Sequence, residues 1–163
     1  MKKIIVIGCP GSGKSTFSRS LHKVTGIKLY HLDMMFWNAD KTTIKKSVFL
    51  RKLSEVLKTN EWIIDGNYAS TMEMRMKECD TVVFLDFPFE VCLDGIRARQ
   101  GKPRTDMPWT ETEDDLEFIE FVKKFNTESR PKIMNLLEKY HDKNILIFSN
   151  RTQSDKFLKS FNR

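Results

Sequence analysis

The octapeptide GCPGSGKS, residues 8–15, lies between a short apolar run and a segment with helical spacing. It matches the pattern GxxxxGK[ST], in which glycines let backbone N–H groups approach an anion that side chains would otherwise block. The helix that follows points its positive N-terminal end at the same anion. This context predicts a loop that binds the phosphates of a nucleoside triphosphate. The predicted nucleotide-binding residues are Gly8, Pro10, Gly11, Ser12, Gly13, Lys14, Ser15 and Thr16.

Two residues of this P-loop have separate predicted tasks. Lys14 is expected to reach the β- and γ-phosphates, and the Ser15 hydroxyl to ligate Mg²⁺. A second acidic partner for the metal usually follows a neighbouring strand, and Asp65 and Asp86 each end an apolar run. We expect Asp65 to support the metal, because the third strand lies beside the first in adenylate-kinase-type P-loop folds. Asp86 is expected to cap a helix or close a turn.

Strand and helix patterns alternate along the whole chain. Lys2–Gly8 is continuously apolar and β-branched, which is typical of a strand buried on both faces of a parallel sheet. Four more strands are predicted in IKLYHLD, EWIIDG, DTVVFLDF and NILIFS, and a closing helix is predicted to start at the TxxD capping pattern Thr152–Asp155. The alternation predicts one α/β domain over residues 1–163, with helices on both faces of the sheet.

Composition narrows the class of protein. The formal net charge of +6 and the isoelectric point near 9.2 suit a protein that handles anions, but the basic residues form no dense tract. The cysteines Cys9, Cys79 and Cys92 include no CxxC pair, which argues against a zinc site or a disulfide framework. The apolar run at the N-terminus is too short for a membrane span. These features predict a cytoplasmic protein with reduced thiols and no membrane partner.

Five segments carry a resemblance to a known family. GCPGSGKST, HLDMMFW, WIIDGNY, CDTVVFLDFP and GKPRTDM together resemble the topology modulation protein family, small adenylate-kinase-like P-loop proteins of bacteria. The resemblance covers almost the whole chain. It implies a five-stranded parallel sheet in the order 2-3-1-4-5 and a short mobile lid after the fourth strand, at about residues 97–112. The cofactors ATP and Mg²⁺ are predicted from the P-loop itself.

The chain departs from adenylate kinases where those enzymes bind the acceptor. They carry Asp-x-x-Arg after the second strand and Asp-Gly-Phe-Pro-Arg after the third, and this chain has phenylalanine (Phe36) and alanine (Ala69) at the two arginine positions. A dianionic acceptor normally needs such bidentate donors, so the sequence argues against AMP. Arg75, on the following helix, is the remaining candidate for this task.

Other residues are assigned to the acceptor side. An aspartate near the position of Asp33 can orient or deprotonate a hydroxyl acceptor. Phe36 and Trp37 are predicted to form a stacking wall for a base or ring, and Asn67 is grouped with them as substrate-binding. The alternative for the apolar residues is that they only pack a helix against the sheet.

Cations of the lid region are predicted to act on the transferred phosphoryl group, because this chemistry depends on positioning and charge neutralisation. Adenylate kinases have two lid-proximal arginines four residues apart, and the matching positions here are Gly95 and Arg99, so one arginine is missing. Arg104 lies in an Arg-x-Asp motif, and Arg130 lies on the returning helix. The predicted catalytic residues are Lys14, Asp33, Arg99, Arg104 and Arg130, the alternative for each lid arginine being a solvated surface position.

Together these features predict an ATP- and Mg²⁺-dependent phosphotransferase that transfers the γ-phosphoryl group to an unidentified nucleoside, nucleotide or other small molecule. Two alternatives remain open. The first 16 residues, MKKIIVIGCPGSGKST, also resemble the start of polynucleotide 5′-hydroxyl kinases. The family resemblance also allows a nucleotide-dependent, DNA-binding regulatory protein, although no helix-turn-helix or zinc-finger pattern is visible.

Overall fold

The computed structural model describes residues 1–162, and its centre is a five-stranded, all-parallel sheet. The spatial order β2-β3-β1-β4-β5 confirms the predicted order 2-3-1-4-5. The strands are β1 (Lys3–Gly8), β2 (Leu29–His31), β3 (Trp62–Asp65), β4 (Thr81–Leu85) and β5 (Asn144–Phe148).

Helices connect successive strands and cover the sheet. They are α1 (Lys14–Thr25), α2 (Leu32–Phe36), α3 (Lys46–Leu57), α4 (Ala69–Glu78), α5 (Phe89–Arg99), α6 (Leu116–Lys124), α7 (Arg130–Lys139) and α8 (Arg151–Lys159). A π-helical turn, Phe125–Ser129, joins α6 to α7, and a 3-10 turn, Ser160–Asn162, follows α8. None of the helices within residues 1–162 has the length and apolar character needed to cross a membrane.

The core lies on both faces of the three central strands. All residues of β3 and β4, and β1 from Ile4 onward, are buried, which explains why these strands read as unbroken apolar runs. The edge strand β5 has only exposed and half-buried residues. The three cysteines are buried and form no disulfide within the described residues, in keeping with the predicted reduced thiols.

Two local predictions differ from the structure. The predicted second strand continues to Asp33, but β2 ends at His31 and the chain turns into α2, where the Trp37 N–H donates to the Asp33 carbonyl at 3.0 Å. The turn buries Leu32 completely. Helix α8 is capped by Asn150, whose side chain accepts from the Gln153 N–H at 3.0 Å, and not by the TxxD pattern.

Helix α5 packs directly on the P-loop backbone at two glycines. A Cβ atom on Gly95 would lie 2.1 Å from the Gly11 carbonyl oxygen, and a Cβ atom on Gly11 would lie 2.0 Å from the Cys92 carbonyl oxygen. No side chain fits at either position without moving the backbone. The contact gives a physical reason why the chain has no arginine at position 95.

We therefore predict that Gly95→Ala lowers the free energy of unfolding by about 1–3 kcal/mol, the usual cost of overpacking. An alanine inside a helix normally stabilises it by comparison with glycine, so the sign of the change is diagnostic. Asp94→Ala, at the exposed neighbouring position, is the control and should change stability by less than about 0.5 kcal/mol. Urea denaturation of both variants measures the difference, and a stabilised Gly95→Ala would contradict the close contact.

Candidate active site

One cavity of about 1190 Å³ opens at the carboxyl ends of the strands. Its walls come from the P-loop, from the ends of β2 and β3, and from the segment between α5 and α6, which we call the 100–115 loop. Polar, charged and aromatic residues of its lining include Lys14, Ser15, His31, Asp33, Trp37, Asp65, Asn67, Tyr68, Arg99, Arg104, Asp106, Trp109, Glu111 and Arg151.

Lys14 is folded back on its own loop. Its Nζ donates to the carbonyl oxygens of Gly8 at 3.0 Å and Cys9 at 3.1 Å. Burial lowers the pKa of Lys14, and the negative charge of Asp65 opposes this change. The ammonium group is therefore held at the phosphate-binding loop by weak, neutral acceptors that a phosphate oxygen can replace.

Asn67 holds the start of the P-loop. The Gly8 N–H donates to Asn67 Oδ1 at 3.1 Å, and Asn67 Nδ2 donates to the Gly8 carbonyl oxygen at 2.7 Å. The sequence assigned Asn67 to the substrate, and the side chain does line the cavity. Both of its polar atoms are, however, engaged by Gly8, so its visible task is to tie the turn after β3 to the end of β1.

Ser15 lies between two carboxylates. Its Oγ is 2.7 Å from Asp65 Oδ2 and 2.6 Å from Asp106 Oδ2. The ring Nδ1 of His31 is 2.7 Å from the same Asp65 oxygen. Asp65 is only 5% exposed, and its Oδ1 has no hydrogen-bond partner among residues 1–162. The structure thus brings together Ser15 and Asp65, the two residues assigned to the metal.

This oxygen cluster fits Mg²⁺. The ion is usually held by one or two carboxylates together with substrate phosphates, and Ser15 and Asp65 supply a hydroxyl and a buried carboxylate with an unused oxygen. Across residues 1–162, no group of three or more His, Cys, Asp and Glu side chains is arranged to hold a metal by itself. The cation would therefore arrive with the nucleotide.

Asp33 is a half-buried carboxylate that accepts one short hydrogen bond. The Tyr68 hydroxyl donates to Asp33 Oδ1 at 2.6 Å. Burial raises the pKa of Asp33, while the hydrogen bond from Tyr68 and the charge of Lys14 oppose the rise. A raised pKa makes the ionised carboxylate a better proton acceptor than one in water.

An aromatic cluster stands beside Asp33. The Trp37 ring is 5.1 Å from Trp109 of the 100–115 loop and 5.5 Å from Phe36, between ring centroids. Trp37, Tyr68 and Trp109 line the cavity. Phe36 packs behind them against Phe49 at 5.2 Å. Phe36 thus follows the alternative of simple packing, whereas Trp37 stands where a ring could stack on it.

Arg99 and Arg104, the two lid arginines assigned to catalysis, are paired with carboxylates of the 100–115 loop. Arg104 donates to Asp106 through Nη2 at 2.6 Å and Nε at 3.1 Å, and its Nη1 lies 3.3 Å from Glu111 Oε2 without hydrogen-bond geometry. Arg99 forms a bidentate pair with Glu111, at 2.7 and 3.1 Å. Burial favours a higher pKa for Asp106, but hydrogen bonds from Arg104 and Ser15 hold it well below its usual range.

Arg130, which the sequence assigned to the reacting phosphates, lies outside this cavity. Its guanidinium makes a bidentate pair with Asp86, with the closest contacts at 2.8 Å, in a separate small recess. Asp86 is likewise not a helix cap, because Pro88 occupies the N-cap position of α5. The attraction between these two charges keeps Arg130 away from the P-loop.

Arg75 does not reach the acceptor side either. It is fully buried and donates to the backbone carbonyls of Gly66 at 2.9 Å, Asn67, and Tyr68 at 3.3 Å. Burial lowers its pKa to about 10. The guanidinium organises the turn after β3, which in turn positions Asn67 on Gly8 and Tyr68 on Asp33.

Sequence reasoning missed Arg151. Its Nη1 donates to the Ser12 carbonyl oxygen at 3.4 Å, and its guanidinium lies 5.7 Å from the centre of the Phe87 ring. Its position could have been predicted, because Arg151 follows β5 and the carboxyl ends of parallel strands meet at one edge of the sheet. His31, at the end of β2, is marked by the same rule. Asp106 is the aspartate of the Arg-x-Asp motif that contains Arg104, whereas no pattern marks Trp109 and Glu111.

Comparisons with known proteins agree with the fold. The family model AAA_18, described as an AAA domain, matches residues 4–120. Nothing matches among the curated proteins. A shikimate kinase structure from Bacteroides thetaiotaomicron is 18% identical, with 98% of this chain and 95% of that chain covered and a TM-score of 0.56. A shikimate kinase from Acinetobacter baumannii, solved in complex with shikimate, is 17% identical, with 99% and 91% covered and a TM-score of 0.64.

We predict that Arg75→Ala destabilises the protein by about 2–5 kcal/mol, because it leaves several buried carbonyl groups unpaired, each at about 1–3 kcal/mol. Arg97→Ala removes an arginine whose side chain is 53% exposed and serves as the control. Chemical denaturation measures both changes. Equal stability of the two variants would contradict the role of Arg75 in holding the turn after β3.

Proposed function

Because the chain belongs to the AAA_18 family of AAA domains, we propose that it is a phosphotransferase that moves the γ-phosphoryl group of ATP to a small hydroxyl acceptor. One observation carries this proposal: the P-loop residues Lys14 and Ser15 and the half-buried carboxylate of Asp33 line the same cavity. The two kinases with similar folds support the reaction class without indicating the acceptor.

The nucleotide side of the proposed reaction uses the P-loop. Backbone N–H groups and the N-terminal end of α1 bind the phosphates, and Lys14 exchanges the carbonyls of Gly8 and Cys9 for phosphate oxygens. Ser15 and Asp65 would hold Mg²⁺, which when bound supplies charge neutralisation between the β- and γ-phosphates. The guanidinium groups of Arg99 and Arg104 line the same space and supply further positive charge.

Asp33 serves the acceptor. The acceptor oxygen attacks the γ-phosphorus, the bond from that phosphorus to the β–γ bridging oxygen breaks, ADP leaves, and the hydroxyl proton passes to Asp33. The Tyr68 hydroxyl fixes the orientation of the carboxylate. The rings of Trp37 and Trp109 form a wall on which a ring of the acceptor can stack.

The charges of the cavity favour an acceptor without its own phosphate. Arg99 and Arg104 are each paired with a carboxylate, and Arg75 is committed to backbone carbonyls. Two alternatives would bind a nucleic-acid strand: a polynucleotide 5′-hydroxyl kinase, and the DNA-binding regulator that the resemblance to topology modulation proteins allows. Both require a basic groove for the strand. The pairing of the cavity arginines argues for the small acceptor.

The test of this function is ADP release in a screen of nucleosides, nucleotides and small alcohols. Lys14→Ala should reduce turnover with the best acceptor by at least about 10²-fold, because a preorganised charge at the phosphates is lost. The fold should remain intact, since Lys14 contacts only carbonyls of its own loop. Lys23→Ala, at an exposed position of the same helix, is the control. Unchanged catalysis by a folded Lys14→Ala variant would remove the proposal.

A second prediction concerns Asp33 and pH. Activity should fall as the pH decreases through the raised pKa of Asp33, because the protonated carboxyl cannot accept the hydroxyl proton. Tyr68→Phe removes a hydrogen bond that favours the ionised form, so the pKa rises further and the acidic limb of the pH profile moves to higher pH. Tyr140→Phe, which removes a hydroxyl bonded to Glu73 outside the cavity, is the control.

Asp33→Asn should retain nucleotide binding and lower transfer by about 10²- to 10⁴-fold. Initial rates from acid to alkaline pH, together with nucleotide titrations, separate these effects. An acidic limb that stays in place in Tyr68→Phe would show that Asp33 is not the group that titrates.

A further inference from the structure

Three oxygens from separate parts of the chain meet at the P-loop. Ser15 lies in the first turn of α1, Asp65 ends β3, and Asp106 comes from the 100–115 loop. Asp65 Oδ2 and Asp106 Oδ2 both lie within hydrogen-bond distance of Ser15 Oγ, at 2.7 and 2.6 Å. The 100–115 loop thus reaches the metal-binding residue of the P-loop through a carboxylate.

The arrangement holds more acceptors than donors. A serine hydroxyl has one hydrogen, so it can donate to only one of the two carboxylates at a time. Asp65 and Asp106 are each 5% exposed, and Asp65 Oδ1 has no hydrogen-bond partner within residues 1–162. Two buried carboxylates on one hydroxyl repel each other, and His31 on Asp65 and Arg104 and Arg19 on Asp106 offset part of this repulsion. A cation among the three oxygens would satisfy all of them.

We propose that Asp106 joins Ser15 and Asp65 in holding the divalent cation of the bound nucleotide, so that the cation strengthens the hold of the 100–115 loop over the triphosphate. This inference rests on the proposed function, because it requires that the protein binds a nucleotide. A hydroxyl and two carboxylates form a set of hard oxygen ligands for Mg²⁺, and phosphate oxygens and water complete the coordination.

Cation binding by Asp106 would also change the partners of Arg104. Asp106 Oδ2 accepts from Arg104 Nη2 at 2.6 Å and touches Ser15 Oγ at 2.6 Å. A cation that draws on this oxygen competes with the guanidinium, which is then freer to turn toward a phosphate. Asp106 thereby couples two events, cation binding and the delivery of an arginine to the transferred group.

The experiment measures cation binding, not turnover. Free Mn²⁺ is followed by electron paramagnetic resonance while protein and the non-hydrolysable analogue AMP-PNP are titrated. Asp106→Asn should weaken Mn²⁺ binding to the complex by about 10- to 100-fold and leave AMP-PNP affinity in EDTA unchanged. Asp114→Asn is the matched control, since Asp114 lies in the same loop and pairs with Arg97 and Gln100; its Mn²⁺ affinity should equal that of the wild type.

A second variant separates ligation from a structural role. Arg104→Gln removes the guanidinium that competes for Asp106, so Mn²⁺ affinity should be kept or strengthened. If Asp106 served only to hold Arg104, the two variants would lose Mn²⁺ affinity alike, and the inference would be overturned. This comparison also decides the matter if Asp106→Asn fails to fold, because a weakened Arg104→Gln alone contradicts the proposed competition.

Hydrogen exchange over residues 100–115 gives an independent readout. In the wild type it should slow more with AMP-PNP and Mn²⁺ than with AMP-PNP and EDTA, and in Asp106→Asn the difference should vanish. Equal slowing without the cation, or wild-type Mn²⁺ affinity in Asp106→Asn, would overturn the inference and leave the proposed function standing. A wild-type protein that binds no AMP-PNP with or without Mn²⁺ would overturn both.

Discussion

The parallel pairing of β1 with β3 is the constraint on which the site depends. Its register places Asp65 opposite Val6, and Val6 lies two residues before Gly8, where the P-loop begins. Asp65 can therefore reach Ser15, and the turn that follows can bond Gly8 through Asn67. A shift of one residue in this register would turn Asp65 to the other face of the sheet and separate it from the P-loop. Backbone pairing between β1 and β3 thus determines that Asp65 and Ser15 lie within hydrogen-bond distance.

Inside the cavity the charges are arranged as pairs that can exchange partners. Lys14 rests on carbonyls, and Arg99 and Arg104 rest on carboxylates of the 100–115 loop. Each of these three groups is hydrogen-bonded within the protein, which limits the cost of burying it. A polyphosphate offers stronger acceptors than these local partners. On the proposed function, nucleotide binding is therefore an exchange of partners.

The sequence was sufficient for features that depend on local patterns and chain order. The strands, the P-loop, and the meeting of Ser15 with Asp65 follow from apolar runs, glycine spacing and the carboxyl-end rule. The sequence could not show that Arg130 pairs with Asp86 outside the cavity, because the two residues lie far apart in the chain. The contact of Asp106 with Ser15 spans 91 residues and has no local pattern either. A three-residue edge strand has few pairing partners, so propensity alone could not show that β2 ends at His31.

The contact between Arg151 and the P-loop has a consequence for the order of synthesis. Ser12 leaves the ribosome 139 residues before the arginine that bonds its carbonyl oxygen. The central strand β1 is made first, yet both of its neighbours in the sheet, β3 and β4, are made much later. The nucleotide loop therefore emerges early with its supporting partners still missing. The Ser12 carbonyl oxygen gains its bond from Arg151 only after α8 has been made.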